Sequence, residues 1–454
     1  MLRKCFAFPT SNGMDIGNKK ESLILFVGDI FFFFMALWLT LVVRYAELPA
    51  QELLMNHLAP FSILSVAWVL VFFIAGLYEK HTRILKSRLP SVIFNAQVTN
   101  SIIAVLFFYF IPYFGITPKT NLFIYLFVSF ALVLLWRLSL VPSLGFRKRE
   151  NAILIGSGEE MKELKEEVNN NPRYNLKFIS SIDLNEINSL DFQDEILNTI
   201  YSEGVSSIVI DLKNEKVGPI LPRLYNLIFS KIKFIDKYKI YEDIFDRVPL
   251  SLVEYNWFLE NISSSSRAGY DVVKRVMDIT LSFFLGALSL VVYPFVIVAI
   301  KFDDGESIFF TQERVGQNNK IINILKFRSM TEGEPKHVTR VGEFLRRTRI
   351  DELPQLWNVL RGDLSLVGPR PEVPSLVKVY EKEIPYYNVR HLIKPGLSGW
   401  AQLYHQNHPH HEADAHETKV KLSYDLYYIK NRSLILELKI ALKTLKVLLS
   451  RKGV

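Results

Sequence analysis

Four long apolar runs crowd the first third of the chain: Leu23–Val43, Phe61–Leu77, Val92–Phe114 and Leu122–Val141. Each approaches the roughly 20 residues that an α-helix needs to cross the hydrocarbon core of a bilayer. Lipid offers no partner to a backbone N–H or C=O, so a segment inside it must pair its own polar groups, as a helix does. One such run fits a buried core helix. Four in succession, separated by short polar loops, do not. Residues 1–149 are therefore expected to form a four-span transmembrane bundle, with the short second run its least secure member.

Basic residues sort to one side of these runs. Arg3, Lys4, Lys19 and Lys20 precede the first; Lys80, Arg83, Lys86 and Arg88 separate the second and third; Arg147, Lys148 and Arg149 follow the fourth. The other two loops hold little beyond Arg44 and Lys119. Positive-inside bias then puts both ends of the bundle, and whatever follows it, in the cytoplasm. The first run has no small-residue cleavage site after it, so no cleaved leader is expected. The net charge of +8 points to anionic lipid or phosphorylated substrates rather than nucleic acid, given the membrane runs. A single cysteine, Cys5, excludes an internal disulfide, and no Cys/His spacing suggests zinc.

Residues 150–265 read as a soluble α/β domain. Ala152–Ile155 is a buried strand, followed by Gly156-Ser157-Gly158 and a charged helix from Glu159 to about Asn169. Leu176–Ser181, Ser207–Ile210 and Lys233–Ile235 are further strands, and the alternation predicts a parallel, doubly wound sheet. The glycine turn is incomplete as a dinucleotide fingerprint. Met161 stands at the third glycine position of G-x-G-x-x-G, and Asp183 fits a ribose-binding acid only approximately. A degenerate Rossmann-like module, regulatory or oligomerising, is expected, and a homodimer through it is compatible with that reading. Ser263–Ser266 marks a linker.

A fifth apolar run, Ile279–Ile300, is long enough to span. Crossing would carry Arg314, Lys326, Arg328 and Arg340–Arg349 to the far side, against the charge bias. Pro294 sits within the run and bends a helix. The expectation is a re-entrant helix over about 276–301 that enters the membrane, bends at Tyr293-Pro294 and returns. Leu434–Leu449 mixes apolar residues with Lys439, Lys443 and Lys446, a pattern that serves a membrane-surface helix or one packed on the core.

The densest chemistry lies in Arg340–Pro371. Adjacent carboxylates Asp351 and Glu352 sit among Arg340, Arg346, Arg347 and Arg349, with Arg370 following. Pro354 suits the first turn of a helix, which would aim backbone N–H groups at the acids and at a bound phosphate. An ionised aspartate is a competent nucleophile toward phosphorus, and a second carboxylate suits Mg2+, which takes its oxygens from protein and phosphate alike. An Asp-Glu pair beside arginine is nonetheless most often a surface ion cluster.

The surrounding words decide between these. From about Tyr270 onward the chain resembles the bacterial sugar transferase family, the monotopic phosphoglycosyl transferases. The resemblance is carried by Lys274-Arg275 with Asp278, by Phe309–Gly316, by Lys326–Met330, and by DELPQLWNVLRGD (Asp351–Asp363). SLVGPRP (Ser365–Pro371), KPGLSGWAQ (Lys394–Gln402) and YDLYYIKNRS (Tyr424–Ser433) complete it. It implies a mixed α/β catalytic domain over 266–454 that takes a UDP-sugar and undecaprenyl phosphate at the bacterial inner membrane. Asp351 would be the nucleophile, forming a covalent phospho-sugar and releasing UMP, and Glu352 the Mg2+ ligand. Arg346 and Arg370 fall at the family's phosphate-contacting positions, and Asp425 would be a further active-site acid. Lys274, Arg275 and Pro294 would serve the lipid interface. Glucose leads as the donor sugar by resemblance of the C-terminal segment, with galactose or an N-acetylated hexosamine behind it, and capsule, exopolysaccharide or O-antigen synthesis is the implied setting.

The chain departs from the family pattern in places. Tyr293-Pro294 replaces a usual Ser-Pro, Asn318-Asn319 stands where glycine is common, and Arg349 replaces a small residue. The stretch His405–His416, with five histidines, replaces a more usual sugar-site sequence and reads as a variable loop rather than a metal site. Two rival readings remain. A membrane-anchored nucleotide-sugar dehydratase needs Tyr with Lys four residues on, and only Tyr270/Lys274 near the membrane run fits that spacing. A non-catalytic scaffold would make Asp351 dispensable.

Overall fold

The computed structural model describes residues 19–78, 89–111, 119–141, 149–171, 174–185, 199–200, 202–230, 232–263, 267–303, 305–331, 337–404 and 414–449. The chain divides into two compact units, Met1–Ile244 and Phe245–Val454.

In the first unit, the apolar runs form helices α1 (Lys19–Tyr45), α2 (Gln51–Ile74), α3 (Leu89–Phe110) and α4 (Lys119–Leu135). Among the described residues, these four are long and apolar enough to cross a membrane. Lipid-facing and core-facing side chains are equally apolar, so close packing and polar contacts must hold such a bundle together. The packing is aromatic. Trp68 stacks on Tyr125 with ring centroids 5.0 Å apart, and Phe33 meets Trp68 and Phe72 edge-on at 5.6 and 5.2 Å. Each such pair adds about 0.5–1.5 kcal/mol beyond its buried area. At Gly28 the first and fourth helices approach so closely that a Cβ would fall 2.2 Å from the Trp136 ring.

The polar contact is an ion pair. Asp29 of α1 is fully buried and joins Arg137, which lies in a single π-helical segment, Trp136–Leu140, that continues α4. Arg137 Nη1 also donates to the Leu77 carbonyl at 3.0 Å, and the Tyr78 hydroxyl donates to Asp29 Oδ2 at 2.7 Å. Residues from α1, α4 and the end of α2 thus share one charge pair.

The α/β part of this unit contains β1 (Glu150–Gly156), α5 (Glu159–Asn170), β2 (Leu176–Asp183), β3 (Ser207–Ile210), α6 (Leu221–Asn226), β4 (Lys233–Asp236) and α7 (Lys237–Phe245). The strands pair in parallel in the order β2-β1-β3-β4, as the sequence alternation predicts. Ile153, Leu154, Ile155, Ile208, Val209 and Ile210 are fully buried, the continuous apolar run expected of strands covered on both faces. The winding reverses between β1 and β3, the place where open parallel sheets usually receive a ligand. Here Lys237 lies across it. Its ammonium is 2.8 Å from Asp211 Oδ2 and donates to the Ser157 carbonyl at 3.3 Å. A Cβ on Gly156 would touch the Lys237 stem at 3.1 Å. Asp183 accepts from the Asn185 N–H at 2.9 Å and so closes its own turn. Met161, at the absent third glycine, is buried.

The second unit begins at Phe245, ahead of the serine-rich linker. The Val248 N–H donates to the Ser423 carbonyl at 3.1 Å, and the Trp400 indole donates to the Asp246 carbonyl at 2.8 Å. After α8 (Tyr255–Phe258) come α9 (Ala268–Ser289) and α10 (Tyr293–Asp303), whose axes differ by 57°. Pro294 explains the break. It lacks an N–H and its ring collides with the carbonyl four residues back, so α9 cannot run through it, while the first turn of α10 tolerates it. Ser289 Oγ donates to the Gly286 carbonyl at 2.7 Å, so a hydroxyl does serve the end of the helix, from a position earlier than the usual Ser-Pro.

The remaining elements are β5 (Phe309–Val315), β6 (Ile321–Phe327), α11 (Arg340–Thr348), α12 (Gln355–Arg361), β7 (Ser365–Val367), α13 (Pro374–Glu383), β8 (Gly396–Ser398), α14 (Trp400–Tyr404), α15 (Ala415–Asn431) and α16 (Leu434–Leu449). Strands β5 and β6 form an antiparallel hairpin, and β7 pairs with β8 in parallel. The hairpin turn holds Asn318 and Asn319 at φ 54° and 60°, the left-handed region that asparagine tolerates better than most residues. Helix α16 buries Glu437 and Ile440 yet leaves Ile435, Leu438, Leu445 and Leu448 exposed, so it packs on the core and still presents an apolar face.

The Asp29–Arg137 pair yields a stability test. Replacing Arg137 with Met leaves a buried carboxylate without its cation, which typically costs about 3–5 kcal/mol. The Arg137→Met protein is expected to melt well below the wild type in detergent, and adding Asp29→Leu to recover most of the loss.

Candidate functional site

The acidic pair sits on a turn between two helices. Thr339 caps α11, accepting from the Gly342 N–H at 2.9 Å. The helix ends at Arg349, which adopts a left-handed conformation (φ 59°) unusual for a residue with a side chain. A 3-10 turn, Ile350–Glu352, follows, and Pro354 stands at the N-cap of α12. The sequence reading placed the acids at the opening of a helix. They lie instead on the tight turn before it, because the left-handed residue reverses the chain first.

This reversal turns Asp351 inward, to 6% exposure. Its Oδ1 is buried and has no hydrogen-bond partner among the described residues. Glu352 meets cations from three segments. Lys326 Nζ of β6 lies 3.1 Å from Glu352 Oε1, Arg370 Nη2 of the loop after β7 at 3.7 Å, and Arg349 Nη1 at 3.9 Å. Asn358 of α12 keeps β6 in place, donating to the Asn323 carbonyl at 2.7 Å and accepting from the Leu325 N–H at 3.0 Å.

The two acids therefore ionise differently. Burial would raise the Glu352 pKa, but Arg370, Lys326 and Arg349 outweigh it and hold it at about 2. For Asp351, burial and then the neighbouring Glu352 charge push the pKa up to about 6, against the opposing pull of Lys326, Arg349 and Arg346. The cations pull the Asp351 pKa down, as a basic surrounding suggests from sequence alone, but desolvation outweighs them. At neutral pH the carboxylate is still mostly charged, yet more basic than an ordinary aspartate. Two neighbouring acids with pKa values driven apart by their surroundings mark a division of chemical roles.

Arg346 is exposed on the last turn of α11, close enough for its charge to act on Asp351. Asp425 of α15 is fully buried and 2.8 Å from Arg390 Nη2, with no contact to the acidic pair given by the structure. Lys274 is ion-paired with Glu437 of α16. Arg275 donates to the Val359 and Leu360 carbonyls at 2.7 and 2.8 Å, capping the end of α12. Asp278 accepts from Ser365 Oγ at 2.7 Å and the Leu366 N–H at 3.2 Å. These three residues fasten α9 to the rest of the unit. Tyr270, the tyrosine of the dehydratase spacing, also donates to Glu437, at 2.7 Å. The histidines from His405 to His411 lie outside the described residues.

The sequence alone assigns no site role to Lys326, Asn358, Glu372, Arg390 or Lys421. The signal for Asn358 was a polar residue inside the apolar stretch Leu356–Leu360. For Arg390 and Lys421 the sequence holds no such signal, since basic residues are commonly exposed.

Mg2+ is best tested against the donor oxygens. Among the described residues no cluster of three or more His, Cys, Asp or Glu could hold a metal ion. Mg2+ commonly binds through one or two carboxylates plus substrate phosphates, and the unpartnered Asp351 oxygen beside Glu352 fits that smaller requirement.

Such a split acid pair, ringed by cations, suits an enzyme that moves a phosphorylated group. The model of the family described as bacterial sugar transferase matches residues 269–451. The chain is 42% identical over 195 residues to the UDP-N-acetylgalactosamine-undecaprenyl-phosphate N-acetylgalactosaminephosphotransferase of Aeromonas hydrophila, covering 40% of this chain and 45% of that one. It is 37% identical to an uncharacterized sugar transferase of Bacillus subtilis, over 40% of this chain and 90% of the relative. It is 38% identical to the UDP-glucose:undecaprenyl-phosphate glucose-1-phosphate transferase of Escherichia coli, over 38% of this chain and 39% of that protein. The matched segment thus spans under half of the Aeromonas and Escherichia proteins. This chain belongs to the bacterial sugar transferase family.

The split ionisation is directly measurable. In metal-free protein, carbon NMR of labelled aspartate is expected to show Asp351 titrating near 6. Glu352→Gln removes a neighbouring negative charge and should move that titration downward. An unchanged midpoint in the variant would show that the two carboxylates do not sense each other.

Proposed function

We propose that the protein transfers a hexose 1-phosphate from a UDP-sugar to undecaprenyl phosphate through a covalent intermediate on Asp351. The observation that carries this is the buried, unpartnered Asp351 oxygen next to a Glu352 that its cations keep ionised. In the first step an Asp351 oxygen attacks the β-phosphorus of the donor. An acyl-phosphate bond forms, the bridging P–O bond breaks, and UMP leaves with the electron pair. In the second step an oxygen of the lipid phosphate attacks the same phosphorus. The acyl-phosphate bond breaks, the Asp351 carboxylate is restored, and the lipid diphosphate sugar is released.

Arg346 and Arg370 bind the phosphate oxygens, since guanidinium forks match them in shape and charge. Lys326 shares charge between Glu352 and the diphosphate. Glu352 would hold Mg2+, which when bound would neutralise charge developing on the phosphate oxygens. The raised pKa of Asp351 favours attack, because a more basic carboxylate is the better nucleophile, and activity should fall as pH drops through about 6.

In this reading the site works at the cytoplasmic face of the bacterial inner membrane. α9 and α10 enter the bilayer and return to the same face, with Phe283, Phe284 and Leu288 among the exposed side chains that lipid would cover. The relatives act on N-acetylgalactosamine and glucose donors by name, so the donor here is a UDP-hexose or UDP-N-acetylhexosamine.

The test is UMP release from a panel of UDP-sugars with undecaprenyl phosphate and Mg2+. One donor should be turned over, and Asp351→Asn should lower the rate at least about a thousandfold, as loss of a nucleophile does. Mass spectrometry should find the phospho-sugar on the Asp351 peptide when lipid is withheld. Folded protein that releases no UMP from any donor, or an Asp351→Asn variant at wild-type rate, would falsify the proposal.

A further inference from the structure

Behind Arg370 lies a buried charge network that the reaction does not touch. Arg390, on the 3-10 segment Tyr387–Leu392, is 2% exposed, a burial at which every charge needs close partners. Its Nη2 lies 2.8 Å from Asp425 Oδ2 and also donates to the Arg370 carbonyl at 2.9 Å. Its Nη1 donates to the Tyr387 hydroxyl at 2.6 Å and lies 3.7 Å from Glu372 Oε1. Glu372 is in turn paired with Lys421 of α15.

These contacts converge on three consecutive residues. The Arg370 carbonyl is held by Arg390, the Pro371 carbonyl accepts from Arg314 Nη1 at 3.3 Å, and the Glu372 carbonyl accepts from the Val315 N–H at 2.9 Å. The loop after β7 is therefore fixed from one side by β5 and from the other by Arg390. Arg370 is the residue of that loop that reaches Glu352. Its long side chain can find the acid from a range of backbone positions, but a guanidinium aligned with a diphosphate has few.

We propose that Arg390 is a positioning residue that sets the Arg370 guanidinium against the donor diphosphate by anchoring the Arg370 main chain to Asp425. Arg390 itself makes no contact with the acidic pair. Asp425 thereby serves as the fixed end of the anchor rather than as an acid in contact with the substrate. The reading rests on the transfer reaction proposed above for the role of Arg370. A lysine at 390 keeps one charge but cannot join Asp425, Tyr387 and the Arg370 carbonyl at once, because it lacks the planar fork.

The experiment is a double-mutant cycle with two readouts, UDP affinity by calorimetry and kcat/KM for the UDP-sugar found active in the donor panel. Arg390→Lys alone is expected to weaken both about ten- to a hundredfold, the scale of a displacement near 1 Å in a catalytic group. On an Arg370→Ala background the same change should have almost no further effect, because the group it positions is gone. Equal losses on both backgrounds would overturn the proposal, as would an Arg390→Lys protein with unchanged UDP affinity. A merely structural role lowers the melting temperature alike in both backgrounds and multiplies the losses. If Arg390→Lys does not fold, Asp425→Asn, which removes the anchor but keeps the guanidinium, takes its place in the cycle with the same expectations. Absence of UMP release by the wild type would count against the transfer reaction, while the UDP cycle would still decide on Arg390.

Discussion

Two carboxylates side by side in a poorly solvated place repel one another, and the second unit resolves this by giving its close cations to only one of them. Lys326, Arg349 and Arg370 all lie within 3.9 Å of Glu352 Oε1. Asp351 is left dry, with a free oxygen. The rest of the architecture follows from keeping those cations in place. Each comes from a different segment, so the β5–β6 hairpin, the turn between α11 and α12, and the loop after β7 must hold fixed relative positions. Asn358 fastens the first of these to α12, the left-handed Arg349 shapes the second, and Arg390 with Arg314 secures the third.

The same economy governs the bent helix pair. Lys274, Arg275 and Asp278 occupy one face of α9, and all three point their charges at protein: Glu437, the carbonyl end of α12, and β7. A basic pair at the start of an apolar helix is usually assigned to lipid headgroups, and the snorkelling that such an assignment needs is physically sound. In this chain those side chains instead make α9 an integral part of the unit. Bend and site are thus packed together, with the ring centroids of Tyr293 and Phe327, the residue next to Lys326, 4.8 Å apart.

Much of this was legible in the sequence, for identifiable reasons. The membrane-length helices follow from run length, the parallel sheet from strands interleaved with helical stretches, and the bend from one proline. Asp351, Glu352 and Arg370 come from the conspicuous stretch around them. What escaped depended on three-dimensional partners. No local pattern shows that Lys237 reaches Asp211, that Arg390 reaches the Arg370 carbonyl, or that Lys326 faces an acid distant in sequence. The sign of the Asp351 shift was hidden for the same reason. Neighbouring arginines are visible as letters, whereas desolvation is a property of the folded surface.

Lys237 carries a consequence for the α/β part of the first unit. Ligands that bind only the native state stabilise a domain in proportion to the logarithm of their concentration. With a tethered ammonium bonded to Asp211 and Ser157 at the sheet's switch point, that contribution comes from the chain itself. Its effective concentration is set by covalent connection, so the contribution of this one contact does not vary with the concentration of any small molecule around the protein.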